Sequence, residues 1–310
     1  LLHALAGQTL APERFEVIVV DDCSSDDTMA RLTALGGAFP YRLTVLQTPR
    51  NAGPGAARNV GWRAATAALL AFLDDDCQPE AGWLEAGRDY LLANEGVGVA
   101  QGLTRAPDGV DVHRLQGWYV WRVITDATPY FDACNIFYRR DALAGADGFD
   151  TEIGWWPSFG VPGAVPVAWA EDSAAGWAVV EDGWDRGFVT GAVVIHEVEM
   201  RPLRWHLKHA YLDRAIVALA VAHPGFRAEA FWRPWAYRKE DAAFMAAVAA
   251  VVATRRWRPA ALAVLPYVWL RRPSTRKPNF LRLCAGYVAI DSARAVGRLS
   301  GAVKFRTFVV

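Results

Sequence analysis

Residues 69–76 read Leu69-Leu70-Ala71-Phe72-Leu73-Asp74-Asp75-Asp76, five apolar residues that stop abruptly at three carboxylates. A run this short suits a strand covered on both faces rather than an amphipathic helix. Residues 15–20 (FEVIVV) repeat the device and end in Asp21 and Asp22. Between the two, the pattern predicts a helix over residues 28–35 and a strand over 43–47. The glycine-punctuated residues 51–59 then lead into a helix running to about residue 68. Strands alternating with helices predict right-handed βαβ units, hence an α/β fold with a mostly parallel sheet flanked by helices. Ligands of such sheets bind beyond the carboxyl ends of the strands, where both acidic clusters sit.

Outward from this centre, a helix is expected over residues 1–10. Downstream the expectation is a helix over 80–93, strands over 97–101 and 133–139, a helix over 171–183 and a strand over 188–196. Residues 154–170, rich in Trp, Pro and Gly, read as a long loop, and loops of that length tend to be functional. From residue 201 the chain reads as helical pieces broken by Pro224, Pro234, Pro259, Pro266, Pro273 and Pro278. The expected division is a body, residues 1–200, and a helical, basic extension, residues 201–310.

The 310 residues are 53% hydrophobic and 21% charged, which excludes a disordered or fibrous chain. The longest uninterrupted apolar run, residues 242–253, has 12 residues. A spanning helix needs about 20, so none of the ordinary kind is expected. A net charge of zero conceals a split: residues 201–310 carry 20 Lys and Arg against 5 Asp and Glu, and the first 200 carry 13 against 28. Anionic partners such as headgroups or phosphates suit the basic half, and no nucleic-acid partner is expected. The four cysteines lack metal-site spacing, which favours a reducing compartment, and Cys23 and Cys77 read as small apolar fillers.

Carboxylates on a rigid strand end can share a hard divalent cation with the phosphates of a substrate. Taken alone, Asp74 to Asp76 are equally an acidic turn capping the next helix, and Asp21 to Thr28 (DDCSSDDT) carries N-capping residues. The segment Asn51 to Asn59 between them shifts the balance. Its glycines permit close approach to a ligand, and Arg58 can reach a base or a phosphate. It is no Walker loop, because the lysine of that motif is missing.

In these segments the sequence resembles the family 2 glycosyltransferases of GT-A fold. The resemblance rests on VIVVDDCSSDDT, NAGPGAARNVGW, LLAFLDDDCQPEAGWL, the pair NIFYRRDAL and GFD, and EDSAAGWAVVEDGW, in family order across residues 1–200. It implies a metal-dependent inverting glycosyltransferase using Mn²⁺ or Mg²⁺, with residues 1–200 as the catalytic domain. The enzyme would move a sugar from a nucleotide-sugar donor to a hydroxyl of a glycan or lipid-linked acceptor. Asp22, beside Asp21, would then contact the nucleotide base, with Arg58 nearby. Asp74 or Asp75 would sit at the ribose, Asp76 would bind the metal with Asp74, and His196 would add a ligand. Asp172 of the Glu171-Asp172 pair would be the general base, a role that otherwise reduces to helix capping. Trp155, Trp156 and Trp169 would stack on sugar faces or anchor the loop. The resemblance also expects a first strand upstream of residue 1. Residues 201–205 (RPLRW) resemble the Q-x-x-R-W signature of processive synthases with Arg in place of Gln, and single addition is expected.

Residues 242–253 and 259–270 flank Arg255, Arg256 and Arg258, with Arg271 and Arg272 following. Short apolar helices among Arg and Trp suit an interfacial segment on an anionic membrane surface, and a packed subdomain is the alternative. The expected location is the cytoplasm, with peripheral docking on the inner face of the cell membrane as a further option. Competing functions are a nucleotidyltransferase of related fold and a catalytically silent membrane-docked binding protein. The first leaves Glu171-Asp172 unexplained.

Overall fold

The computed structural model describes residues 1–112, 115, 118–153, 170–254, 257–271, 280–307 and 309. Only the backbone is described for 254, 257–263 and 280–283. The chain divides into two compact units, Leu1–Leu115 with Val120–Glu199, and Gln116–Tyr119 with Met200–Val310.

The first unit opens with α1 (Leu2–Ala6) and a 3₁₀ turn (Pro12–Arg14), then β1 (Glu16–Asp21), α2 (Thr28–Ala34) and β2 (Arg42–Gln47). It continues with α3 (Pro54–Ala64), β3 (Leu69–Phe72), β4 (Cys77–Pro79), α4 (Trp83–Ala93) and β5 (Val97–Arg105). Two-residue strands β6 (Tyr119–Val120) and β9 (Glu199–Met200) fall at the unit boundaries. Between them come β7 (Ile136–Arg139), α5 (Arg140–Gly145), α6 (Glu171–Glu181) and β8 (Asp185–His196). Local chemistry sets several of these boundaries. Asp26 Oδ1 accepts from the Thr28 backbone N–H at 3.0 Å and so starts α2. Pro54, at the first turn of α3, has the φ a helix requires, and Gly53 before it adopts φ +91°.

The sheet is mixed where the sequence predicted a mostly parallel one. β1 and β2 pair in parallel as a separate two-stranded sheet, and the main sheet runs β3-β7-β5-β8-β4. Only β5 and β8 are parallel in it; β3 with β7, β7 with β5, and β8 with β4 are antiparallel. β3 and β4 stand at opposite edges of this sheet, joined by a tight turn in which the Cys77 N–H donates to the Asp74 carbonyl at 3.2 Å. Each pairs with a strand from much later in the chain, so their directions are set by long-range pairing that no local pattern encodes.

The core packs α4 against this sheet through Trp83, Leu91, Phe137 and Val194. Its polar centre is Asn135, fully buried, which donates to the Leu103 and Ala192 carbonyls at 2.9 and 3.0 Å. Asn135 also accepts from the Trp83 indole at 2.9 Å. The register of β5 against β8 shifts between Gly102 and Leu103, and a Cβ at Gly102 would lie 2.3 Å from Asn135 Oδ1. Glycine is therefore required where the amide fills the irregularity.

The second unit holds α7 (Leu203–Tyr211), α8 (Arg214–Ala222), α9 (Pro224–Ala230), α10 (Lys239–Thr254), α11 (Trp257–Arg271) and α12 (Phe280–Lys304). α12 packs on α7 and α8, and α10 on α11. A buried ionic network joins them. Asp241 accepts from Arg238 Nε at 2.9 Å and from Arg298 Nη1 at 2.5 Å, and Arg298 is 1% exposed. Burial pushes the Asp241 carboxyl up, but the two guanidinium groups outweigh it and hold the pKa at about 2. Asp291 takes Arg271, Arg294 and the Tyr267 hydroxyl. Arg271, expected to face an anionic surface, is thus tied to Asp291, because burial of that carboxylate demands a cation. Arg255, Arg256 and Arg272 lie outside the described residues, as does the side chain of Arg258. Among the described residues no helix is long and apolar enough to cross a membrane.

Candidate active site

The turn after β3 leaves Asp75 exposed and Asp74 and Asp76 partly covered. The antiparallel register of β4 on β8 sets Cys77 opposite His196 and so brings the imidazole beside Asp76. His196 Nδ1 lies 2.8 Å from the Glu197 carbonyl oxygen. A carbonyl only accepts, so Nδ1 carries a proton, and Nε2 lies 3.7 Å from Asp76 Oδ1. The Cys77 thiol lies 3.7 Å from the same oxygen. One ligand atom from each of Asp76, Cys77 and His196 lies within 4.8 Å of the other two, a spacing that fits a divalent cation. Burial, then Asp74 and Asp75, raise the Asp76 carboxyl above its ordinary value, partly offset by His196. Binding of a cation would relieve that. Carboxylate and imidazole donors at this spacing suit a divalent cation.

Arg58, on the second turn of α3, joins this strand end to α6. Its Nη2 donates to Asp74 Oδ1 at 2.8 Å and its Nη1 to Glu171 Oε1 at 2.9 Å. Burial works against the cation, but Asp74, Glu171 and Asp172 together raise its pKa, so it stays charged. The approach is close: a Cβ on Gly55 would fall 2.8 Å from Glu171 Cγ. Arg58 was expected at a base or phosphate; here it is committed to two carboxylates.

Asp172 sits in the first turn of α6, after Ala170, whose φ of +75° is left-handed. Its Oδ1 accepts the Ser173 N–H at 2.7 Å and its Oδ2 the Ala133 N–H at 3.3 Å. Burial first, then Glu171 and Asp132, push its pKa up to about 8, against the pull of Arg58 and the Ser173 amide. The helix is anchored to residues 129–131 by Ser173 Oγ donating to the Tyr130 carbonyl at 2.6 Å and the Trp177 indole donating to Pro129 at 2.8 Å.

The first acidic pair does structural work. Asp21, 5% exposed, accepts from Ser24 and from Gln47 Nε2 at 2.8 Å, and the Ser24 bonds chiefly lower its pKa. Asp22 accepts from Thr48 Oγ1 at 2.7 Å, the Ala52 N–H at 3.0 Å and the Gly53 N–H at 2.7 Å. It therefore fixes the loop that delivers Arg58. Cys23, read as an apolar filler, is exposed at φ +58° in the same turn, because the chain reverses there instead of packing. Cys77 is buried, as a filler should be, and also lies beside Asp76. Trp155, Trp156 and Trp169 lie outside the described residues.

Two charged residues escaped the sequence reading. Asp132 pairs with Arg122 Nε at 3.1 Å, and burial raises its pKa despite that partner. Its one sequence signal is a lone carboxylate directly before the apolar residues leading into β7.

A mixed sheet with carboxylates at its strand ends and a carboxylate pair opening α6 defines a GT-A glycosyltransferase fold. Residues 1–146 match the model of the family described as Glycosyl transferase family 2. The chain is 40% identical over 157 residues to the glycosyltransferase AglE of Haloferax volcanii, covering 49% of this chain and 51% of that one. It is 29% identical over 223 residues to the pre-mycofactocin glycosyltransferase of Mycobacterium tuberculosis, covering 67% and 43%. It thus spans about half the length of these curated relatives. Among solved structures, the mannosyltransferase PcManGT of Pyrobaculum calidifontis, in complex with GDP-Man and Mn²⁺, superposes with a TM-score of 0.58 at 20% identity. That match covers 98% of this chain and 81% of that one and shows a shared fold.

Proposed function

We propose that the protein is a metal-dependent inverting glycosyltransferase that moves a sugar from a nucleotide-sugar donor to a hydroxyl of a glycan or lipid-linked acceptor. The observation that carries this is the Arg58 bridge from Asp74 to Glu171, which ties a cation-binding strand end to the carboxylate pair of α6. The glycosyltransferase relatives, and the GDP-Man and Mn²⁺ of the mannosyltransferase, support the donor and metal classes.

Asp76, His196 and Cys77 would hold the cation, Mn²⁺ or Mg²⁺, which would supply charge neutralisation to the diphosphate leaving group. Asp172 takes the proton of the acceptor hydroxyl. The acceptor oxygen then forms its bond to the anomeric carbon as the bond to the diphosphate oxygen breaks, and the electron pair leaves with the nucleoside diphosphate. A single displacement with one base inverts the anomeric centre. Asp132 and Glu171 keep the basicity of Asp172 high, and Arg58 compensates the charge that deprotonation adds. Asp21 and Asp22 shape the loop around the donor. A cytoplasmic enzyme docked peripherally on the inner face of an anionic membrane would meet a lipid-linked acceptor there.

The test is release of nucleoside diphosphate from a panel of nucleotide sugars with Mn²⁺, with and without Asp172→Asn. The expected result is release from at least one donor that falls about 10² or more in the variant. Equal rates in the two proteins would remove Asp172 from the mechanism.

A further inference from the structure

Most of the exposed large apolar side chains among the described residues belong to the second unit. One group lies on α10 and α11, at Val248, Val251, Val252, Leu265, Val268 and Trp269, and a second on α12. Val288, Val296, Leu299 and Val303 recur at helical spacing along one face of α12, and Val303 is 80% exposed. The stripe runs into the residues that close the helix, where Arg306 adopts φ +49° and the Thr307 N–H donates to the Ala302 carbonyl at 3.0 Å.

There the chain borders a cavity of about 780 Å³ lined by Arg227, Phe231, Trp232, Arg233, Phe305 and Arg306 among others, with no carboxylate among the described residues of the lining. The opposite wall is a tight turn. Trp232 N–H donates to the Tyr237 carbonyl at 3.0 Å, and Arg233 and Ala236 exchange backbone hydrogen bonds at 3.1 and 3.0 Å. The root of the turn is buried through Phe231, Ala236 and Tyr237. Arg227 Nε and Nη2 both donate to the Pro234 carbonyl, at 2.9 and 2.5 Å, and fix the turn to α9. Its tip carries Trp232, 49% exposed, with the Arg233 guanidinium 5.0 Å above its ring, and Trp235, 42% exposed.

A rigid tip presenting two indoles and a guanidinium, a cationic cavity behind it and an apolar helix stripe beside it carry the chemistry of the bilayer interface. Indoles settle at headgroup depth, guanidinium groups pair with phosphate, and aliphatic side chains enter the acyl boundary. We propose that this face is a docking site for an anionic phospholipid surface, with a headgroup phosphate taken between Arg233 and Arg306. A soluble phosphate would use the two arginines and leave Trp235 and the α12 stripe in water. The inference rests on the membrane placement proposed above and not on the transfer reaction. It locates the contact on residues 231–237 and the C-terminal half of α12, away from the residues 242–270 singled out by sequence.

The experiment is co-sedimentation of the full chain with phosphatidylcholine vesicles, with and without phosphatidylglycerol, in the absence of donor and cation. The wild type should partition onto the anionic vesicles and not the neutral ones. Arg233→Gln with Arg306→Gln, and separately Trp232→Ser with Trp235→Ser, should each weaken partitioning by about tenfold. Val303→Ser, a change at a fully accessible position, repeats the test on the stripe without touching the turn. Indifference of the wild type to anionic vesicles would overturn the membrane placement itself. Wild-type binding that survives in all three variants would overturn this site alone. Release of the chain by inorganic phosphate at constant ionic strength would make the cavity a soluble-phosphate site and also overturn the proposal.

Discussion

At Asp172 two demands oppose each other: a base must be ionised to accept a proton, and burial beside Glu171 and Asp132 resists ionisation. With the carboxyl pushed up to about 8, the acid limb of kcat/KM should lie far above the ordinary aspartate range, because that parameter reports the free enzyme. Glu171→Gln removes the largest like charge and should move the limb to lower pH; a limb that stays in place, read from a pH profile of donor turnover, would show that Glu171 does not tune the base. Stability should respond with the opposite sign to activity. A carboxyl whose folded pKa is raised contributes stability at low pH that is lost as pH rises through the folded value. Asp172→Asn should therefore match or exceed the wild-type Tm above pH 8 while losing turnover. At Asp76 the expectation is a ligand effect: nucleoside diphosphate binding measured by calorimetry should need Mn²⁺ and vanish in chelator or in Asp76→Ala, and equal affinity in chelator would exclude the cation site. Asp76, Asp172 and the order of their segments were legible because each follows an apolar strand or opens a helix. Asp132 was not, since one carboxylate in an irregular stretch carries no pattern. The double engagement of Arg58 was also unreadable, because its partners lie 16 and 113 residues away.

Among the elements, β4 best shows where sequence reasoning stops. Three residues, one of them proline, give no periodicity, yet their pairing with β8 sets the position of His196 and Cys77. Strands β1, β2, β3, β5 and β8 were legible as apolar runs between turn signals. Their directions were not, because β3 and β4 each pair with a strand met much later in the chain, and local pattern does not encode the sense of such a pairing. In the helical unit, α10 and α12 meet through Asp241 and Arg298, both almost wholly buried. Removing one partner strands the other, so Asp241→Ala should cost about 3–5 kcal/mol. Thermal unfolding is the measure, and a loss below about 1 kcal/mol would mean that Arg298 finds another acceptor. The carboxyl held at about 2 adds an acid signature. A depressed carboxyl contributes stability above its unfolded pKa of about 3.8 and loses it as pH falls towards 2, and Asp241→Ala should lack that decline.

For the whole molecule, the split into an acidic body and a basic extension was plain in the sequence, and the structure draws its two units close to residue 200. The sequence could not reveal which faces of the basic helices stay uncovered, since α10 and α11 are apolar over most of their length and only packing decides what is left outside. The four free cysteines were distributed by the same packing: Cys23 is exposed, Cys284 intermediate, and Cys77 and Cys134 are 2% and 3% accessible. They make the molecule its own clock. A maleimide counted by mass should modify Cys23 within the mixing time and reach Cys77 and Cys134 only as fast as the first unit opens. At maleimide concentrations where labelling outpaces reclosing, the interval between those events measures the lifetime of the closed body, and immediate modification of Cys134 would show that the sheet opens freely. Because Cys77 lies beside Asp76 and His196, slower modification of that one thiol on adding Mn²⁺ would report cation occupancy without any sugar being transferred.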